Sequence, residues 1–271
     1  MAARRPAAAS GGREIRWRGG TYELVAIDVE GNAHAPEADL LANLSLAHDR
    51  DLDDDVLRHD ELVVAAYYYD RGYLMVHVEP ILLVRKEFGD EVRARVVVRE
   101  GPVFTVTRLD AYEQPTSGGR APLSVPWTRP PMVGRPFARS VLVDAVSALR
   151  TRYHDRGQAF VDVNVLDALD VPSRTVALDL AVTPGAYYFL GAIVVTGQRA
   201  LTPEWILGEL ALREGDLYSD SALLLALAHL RSLPWFSSVV VSTHRGAREG
   251  TLDVHFEVEE RPGLSPRIAA R

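Results

Sequence analysis

One short string occurs twice, and that recurrence limits the folds open to this chain more than any other feature. Tyr67-Tyr68-Tyr69-Asp70-Arg71-Gly72 reads as the end of a helix closed by a turn glycine, and Tyr153-His154-Asp155-Arg156-Gly157 repeats it one module later. Each glycine is followed by a strand-like run, Tyr73–Val78 and Val161–Val165. Recurrence over such a distance means a chain built from copies of one module.

The rest of the module can be followed outward from that string. Tyr22, Leu24, Ile27, Val29 and Gly31 mark a short strand with a closing glycine. Phe104, Val106, Leu109, Ala111 and Glu113 keep the same internal spacing in a second copy, and Tyr188, Leu190, Ile193, Val195 and Gly197 keep it in a third. A first helix follows in the outer copies. Thr202-Pro203-Glu204 supplies an N-cap, a proline at the first position and a first-turn acid, and Pro36-Glu37 matches it. In the middle copy, Gly118-Gly119 and prolines 115, 122, 126, 130 and 131 predict a long irregular loop, because proline removes a helix donor.

A second helix is predicted in every copy. Leu142, Ala145, Leu149 and Tyr153 make one face in the second, and Leu224, Leu227, Ala228 and Leu230 in the third, with Pro234 ending it. The approach is shared too: Gly134, Phe137 and Ser140 keep the spacing of Gly215, Tyr218 and Ser221. Two strands close each unit. The last alternates strictly at Val92–Val98, Val176–Val182 and Leu252–Val258, so one face packs on helices and the other is wet.

These readings give an α+β chain of three tandem two-layer β-α-α-β-β domains, each a three-stranded mixed sheet covered by two helices. The predicted domains are 21–101, 102–185 and 186–262, after a disordered leader at 1–20 and before a tail at 263–271. Gly101-Pro102 and Pro184-Gly185 are short inter-domain hand-overs, with limited hinge freedom at 101–103 and 185–187.

Composition excludes several functions. The formal charge of −7 with no basic cluster argues against nucleic acid as a partner. Cysteine is absent, which removes disulfides, thiolate metal sites and cysteine nucleophiles together. Met1–Gly20 has no apolar h-region, so it does not read as a secretory signal. The acidic run Asp49, Asp51, Asp53, Asp54, Asp55 and Asp60 lacks the glycine and glutamate of a calcium loop and reads as charge at a helix N-terminus. A metal-dependent hydrolase using that run with His48 and His59 is the alternative from another class. Neither HExxH nor any nucleotide- or hydrolase-type motif is present, so no catalytic residue, metal or cofactor is assigned.

The order of elements, the aromatic-Asp-Arg-Gly helix end, Glu-Gly-Pro-Val-Phe at 100–104 and Gly-Asp-Leu-Tyr-Ser at 215–219 resemble the POTRA (polypeptide-transport-associated) domain. The resemblance covers roughly residues 21–262 and is nearest to the domain strings of outer-membrane assembly factors of the BamA and TamA type. It implies a non-enzymatic arm at the periplasmic face of the outer membrane. The arm would bind unfolded outer-membrane proteins or accessory assembly proteins, and the 263–271 tail would lead to a β-barrel in a longer protein, the alternative being a barrel-less relative. A two-partner-secretion arm and a scaffold for folded neighbours are the related alternatives. It also implies that clients pair with the strand after the second helix of each domain. Tyr73, Met75, His77, Val161, Val163, Val239 and Val241 are the candidate partner-binding residues.

Overall fold

The computed structural model describes residues 12–262 apart from Phe88, Thr116 and Ser117. The expected tail and residues 1–11 of the expected leader lie outside the described residues. The elements run β1 (Arg13–Trp17), β2 (Gly20–Glu30), α1 (Glu37–Leu41), α2 (Ser45–His48), β3 (Asp51–Leu52), α3 (Asp54–Tyr69), β4 (His77–Val78), β5 (Leu82–Arg85) and β6 (Glu91–Arg99). They continue with β7 (Thr105–Glu113), α4 (Arg139–His154), β8 (Asp162–Asp170), β9 (Thr175–Thr183), β10 (Phe189–Thr196), α5 (Pro203–Glu209), α6 (Asp220–Ser232), β11 (Phe236–Arg245) and β12 (Thr251–Glu260). The chain is mixed α+β with three mixed sheets, and the βααββ order recurs.

Two compact units divide the chain. One holds the residues up to Leu109 with Pro130–Val143 and Asp167–Leu178. The other holds Asp110–Arg129, Asp144–Leu166 and Asp179 onward.

The first unit carries a sheet ordered β3-β1-β2-β6-β4, with β5 also on β6. β2 and β6 are parallel, so the helices between them form the crossover that parallel neighbours require. This sheet has six strands rather than three. Arg13–Trp17 forms β1, in antiparallel register with Gly20–Leu24, where a leader was expected. Its signal is one fully buried residue, Ile15, beside Trp17 in a segment otherwise dominated by charged residues and glycine. Arg18 and Gly19, both at positive φ, make the tight turn between β1 and β2. Leu24, Leu57, Val64, Tyr68, Val92, Ala94, Val96 and Val98 belong to the core beneath the helices.

Two members of the acidic run are caps, while Asp51, Asp54 and Asp55 pair with Arg16, Arg18 and Arg58. Asp53 accepts from the N–H groups of Asp55 and Val56 (3.0 and 2.7 Å) and starts α3. Asp60 is fully buried on that helix and accepts from the N–H of Ser45 and of Leu46 (2.9 and 2.6 Å), which caps α2.

In the second unit, β10-β12-β11 is a three-stranded sheet with β10 parallel and β11 antiparallel to the central β12. Thr202 caps α5 through its hydroxyl, with Pro203 at the first position. Ser219 caps α6. The buried face of α6 is Leu223, Ala226 and Leu230, with Leu227 half-buried. Leu224 is 62% exposed, against the predicted face. Leucines surround this helix, so apolar spacing alone leaves its rotation open by one position.

The middle sheet is ordered β7-β9-β8. No regular helix forms between Glu113 and Arg139 among the described residues. Among the described residues, no helix is long and apolar enough to cross a membrane.

Candidate partner-binding edges and repeat junctions

β4, β8 and β11 follow the long helices α3, α4 and α6, and each sits at a sheet edge. In the first repeat the strand is only His77–Val78, paired with Val98–Arg99 of β6. Tyr73 and Met75 lie outside it, which corrects the expected strand from Tyr73. The N–H of Tyr73 returns to the carbonyl of Tyr68 (3.1 Å), and that of Val76 to Tyr73 (3.2 Å), so the helix ends in a turn that consumes these donors. The Tyr73 ring is buried edge-on against Tyr68, with centroids 5.5 Å apart. Met75 is exposed.

The second repeat uses the same turn: Val161 donates to Gln158 (3.1 Å) and precedes β8. Val161 and Val163 point inward and are buried, while Asp162 and Asn164 are exposed. In the third repeat β11 runs ten residues along β12, with Val239 buried and Val241 half-buried beneath α6. Of the seven candidates, His77, Val163, Val239 and Val241 therefore lie on edge strands, and Tyr73, Met75 and Val161 lie in the preceding turns.

The hand-over glycines have a definite task. Gly101 and Gly185 adopt φ of 71° and 78°, and a Cβ on either would press on a backbone carbonyl, that of Met75 (3.3 Å) or Phe160 (3.2 Å). Pro102 and Pro184 flank them.

The recurring helix-end string also has one. Asp70 accepts from the N–H of Ser140 (2.6 Å), at the start of α4. Asp155 accepts from the N–H and hydroxyl of Ser221 (2.9 and 2.7 Å) and from the hydroxyl of Ser219 (2.8 Å), at the start of α6. Thus the aspartate ending the long helix of one repeat caps the long helix of the next. Gly72 and Gly157 lend their carbonyls to the N–H of Phe104 (2.8 Å) and Tyr188 (2.7 Å), whose own carbonyls accept from Phe137 and Tyr218 (both 3.0 Å). Burial alone would raise the Asp155 carboxyl, but the serine donors together outweigh it and hold its pKa low. The second junction adds a bond from His154 Nδ1 to Asp220 (2.5 Å), which is the main cause of that carboxyl's lowered pKa.

A glutamate at the end of the last strand performs a third repeated task. Glu100 accepts from the N–H of His34 (2.8 Å), from the Tyr68 hydroxyl (3.0 Å) and lies 2.7 Å from His34 Nδ1. Glu260 accepts from the N–H groups of Arg199, Ala200 and Leu201 (2.9 to 3.0 Å). Both tie the last strand to the loop before the first helix. Burial pushes both carboxyls up, and the donors more than reverse it, so both pKa values are lowered. Burial, then the bond to Glu100, raises the Tyr68 phenol.

No cluster of three or more potential metal ligands occurs among the described residues. The arrangement offers edges, caps and hinges.

Small α+β modules with strands at their sheet edges recur along the chain. The POTRA family model, described as a surface antigen variable number repeat, matches residues 22–101 and 188–261. That is more than half of the chain, and the chain belongs to the POTRA family. A Treponema pallidum (strain Nichols) protein, named as an outer membrane assembly factor, is 25% identical over 87% of this chain and 29% of its own length. Outer membrane protein assembly factor BamA of Neisseria meningitidis serogroup B is 20% identical over 82% of this chain and 29% of its own length. This chain therefore spans less than a third of the relatives that it matches. The crystal structure of Haemophilus influenzae BamA POTRA domains 3–5 superposes with a TM-score of 0.70, covering 88% of this chain and 96% of that one at 16% identity.

Proposed function

We propose that this chain is a non-enzymatic periplasmic arm for the assembly of outer-membrane β-barrel proteins, and that it receives unfolded clients or accessory proteins by β-strand addition. Family membership and the assembly-factor relatives support the setting. The observation that carries the binding mode is β11, a ten-residue strand with a sheet partner on one side only among the described residues. Unpaired N–H and C=O groups along such an edge accept an extended chain of almost any sequence. A half-buried row under the helices and an exposed row of Val240, Ser242 and His244 leave the strand's faces asymmetric, which favours one client register.

Proline separates this role from mere sheet structure. The N–H of Thr243 points away from β12, so Thr243→Pro removes a donor that the fold does not use, a position at which edge strands tolerate proline. Binding of an extended peptide from an outer-membrane strand should then fall at least fivefold with little change in melting. Ser242→Pro deletes a ladder bond instead and should destabilise the third repeat. Unchanged peptide affinity in Thr243→Pro would refute addition at β11.

A further inference from the structure

The outer edge of β11 is not uniformly open. The hairpin into β12 fixes which backbone groups face outward. The N–H of Gly246 donates to the carbonyl of Thr251 (2.9 Å), and the register then runs without a shift from Arg245↔Leu252 to Ser238↔Glu259. In an antiparallel ladder, paired and outward residues alternate. Even-numbered residues here exchange bonds with β12, and Val239, Val241, Thr243 and Arg245 turn their N–H and C=O groups outward.

The first of those outward carbonyls is occupied. Arg231, in the last turn of α6, donates from Nε and Nη2 to the Val239 carbonyl at 3.0 and 2.8 Å. Further back, Arg261 Nε donates to the Phe236 carbonyl at 2.8 Å. The two side chains line a depression of about 350 Å³ with Phe236, Ser237, Ser238 and Val239. Neither arginine is paired with a carboxylate among the described residues, so each guanidinium is committed to the edge. The second repeat differs: Arg150, which takes the place of Arg231 when Phe137 is set on Tyr218, makes no such bond among the described residues.

We propose that Arg231 is a positioning residue that sets where an extended chain adds to β11. This rests on the strand-addition reading. A two-pronged, charge-assisted bond is among the stronger protein hydrogen bonds. A client aligned through Val239 must displace it, since the guanidinium stands where the client's N–H would point. Pairing is thereby confined to Val241, Thr243 and Arg245. The device blunts the start of an otherwise long edge strand, a known hazard for edge-to-edge association.

The test uses the full chain, labelled for backbone NMR, with a terminally blocked peptide of alternating valine and threonine as long as β11. Wild type is compared with Arg231→Met, which keeps aliphatic packing without donors, and with Arg231→Lys. Arg231→Met should bind roughly fivefold more tightly, the worth of about one net backbone hydrogen bond. Its shift changes should spread from Val241–Arg245 back to Val239. Arg231→Lys should fall between the two. Structural damage would weaken binding, so a gain cannot come from loosened packing. Equal affinity with the same residues perturbed overturns the lock and leaves strand addition standing. Weaker binding by Arg231→Met also overturns it. No change on β11 in any of the three proteins overturns the lock together with the reading beneath it.

Discussion

Asp155 and Glu100 make long-range ties, and each gives a direct prediction. Asp155 gathers three donors at the start of α6, so Asp155→Ala should cost about 1–2 kcal/mol, the range of a lost helix cap. Thermal unfolding measures it. The sign with pH follows from the lowered pKa: the contribution is present above the unfolded value of about 3.9 and is lost as pH falls through the folded one. The difference between wild type and Asp155→Ala should therefore shrink in acid. Glu100→Ala leaves the buried Tyr68 hydroxyl without its acceptor and should cost about 2 kcal/mol in denaturant unfolding. Asp60 was legible only as one of many acids. A carboxylate gives no local sign of a partner as far along the chain as Ser45, and its burial on the α3 face decides its role. The sequence did hold a trace of the Asp155 bond, since aspartate and serine recur together at 70 and 140 and again at 155 and 221.

At the scale of elements, the recurring glycines are the most readable feature. Gly31 and Gly197 both sit at positive φ, 85° and 89°, and a Cβ on either would lie about 2 Å from a strand carbonyl, Val98 or Val258. Gly197→Ala should destabilise the third repeat by more than the roughly 1–2 kcal/mol of the left-handed backbone alone, because the parallel β10–β12 pair must part to admit a methyl. The denaturant midpoint reports it. In the second repeat Glu113 holds this position and instead accepts from the Tyr153 hydroxyl (2.7 Å) and the Ser124 N–H (2.8 Å). The irregular loop predicted from its prolines is thus fastened by side chains where its neighbours have a helix. The Thr202 and Ser219 caps were readable because their signals are local. The start of β4 was not, because the alternation of Tyr73–Val78 suits a strand as well as the turn that forms. β1 was hidden because its pairing is tertiary and its composition is that of a solvated segment.

For the whole molecule, the repeated junction bonds give a mechanical expectation. Both junctions share the same aspartate cap and glycine carbonyl bond, and the second adds His154 to Asp220. We expect the contact between the second and third repeats to loosen in acid, as Asp155 and Asp220 lose charge. Small-angle scattering across a pH series should show widening confined to low pH, and Asp155→Ala should shift its onset upward. Amide hydrogen exchange tests strand addition at β11 most directly. With an extended outer-membrane peptide in excess, the outward amides of Val241, Thr243 and Arg245 should become protected while those of Val240, Ser242 and His244 stay as they were. Unchanged exchange at the odd-numbered positions under saturating peptide would contradict strand addition.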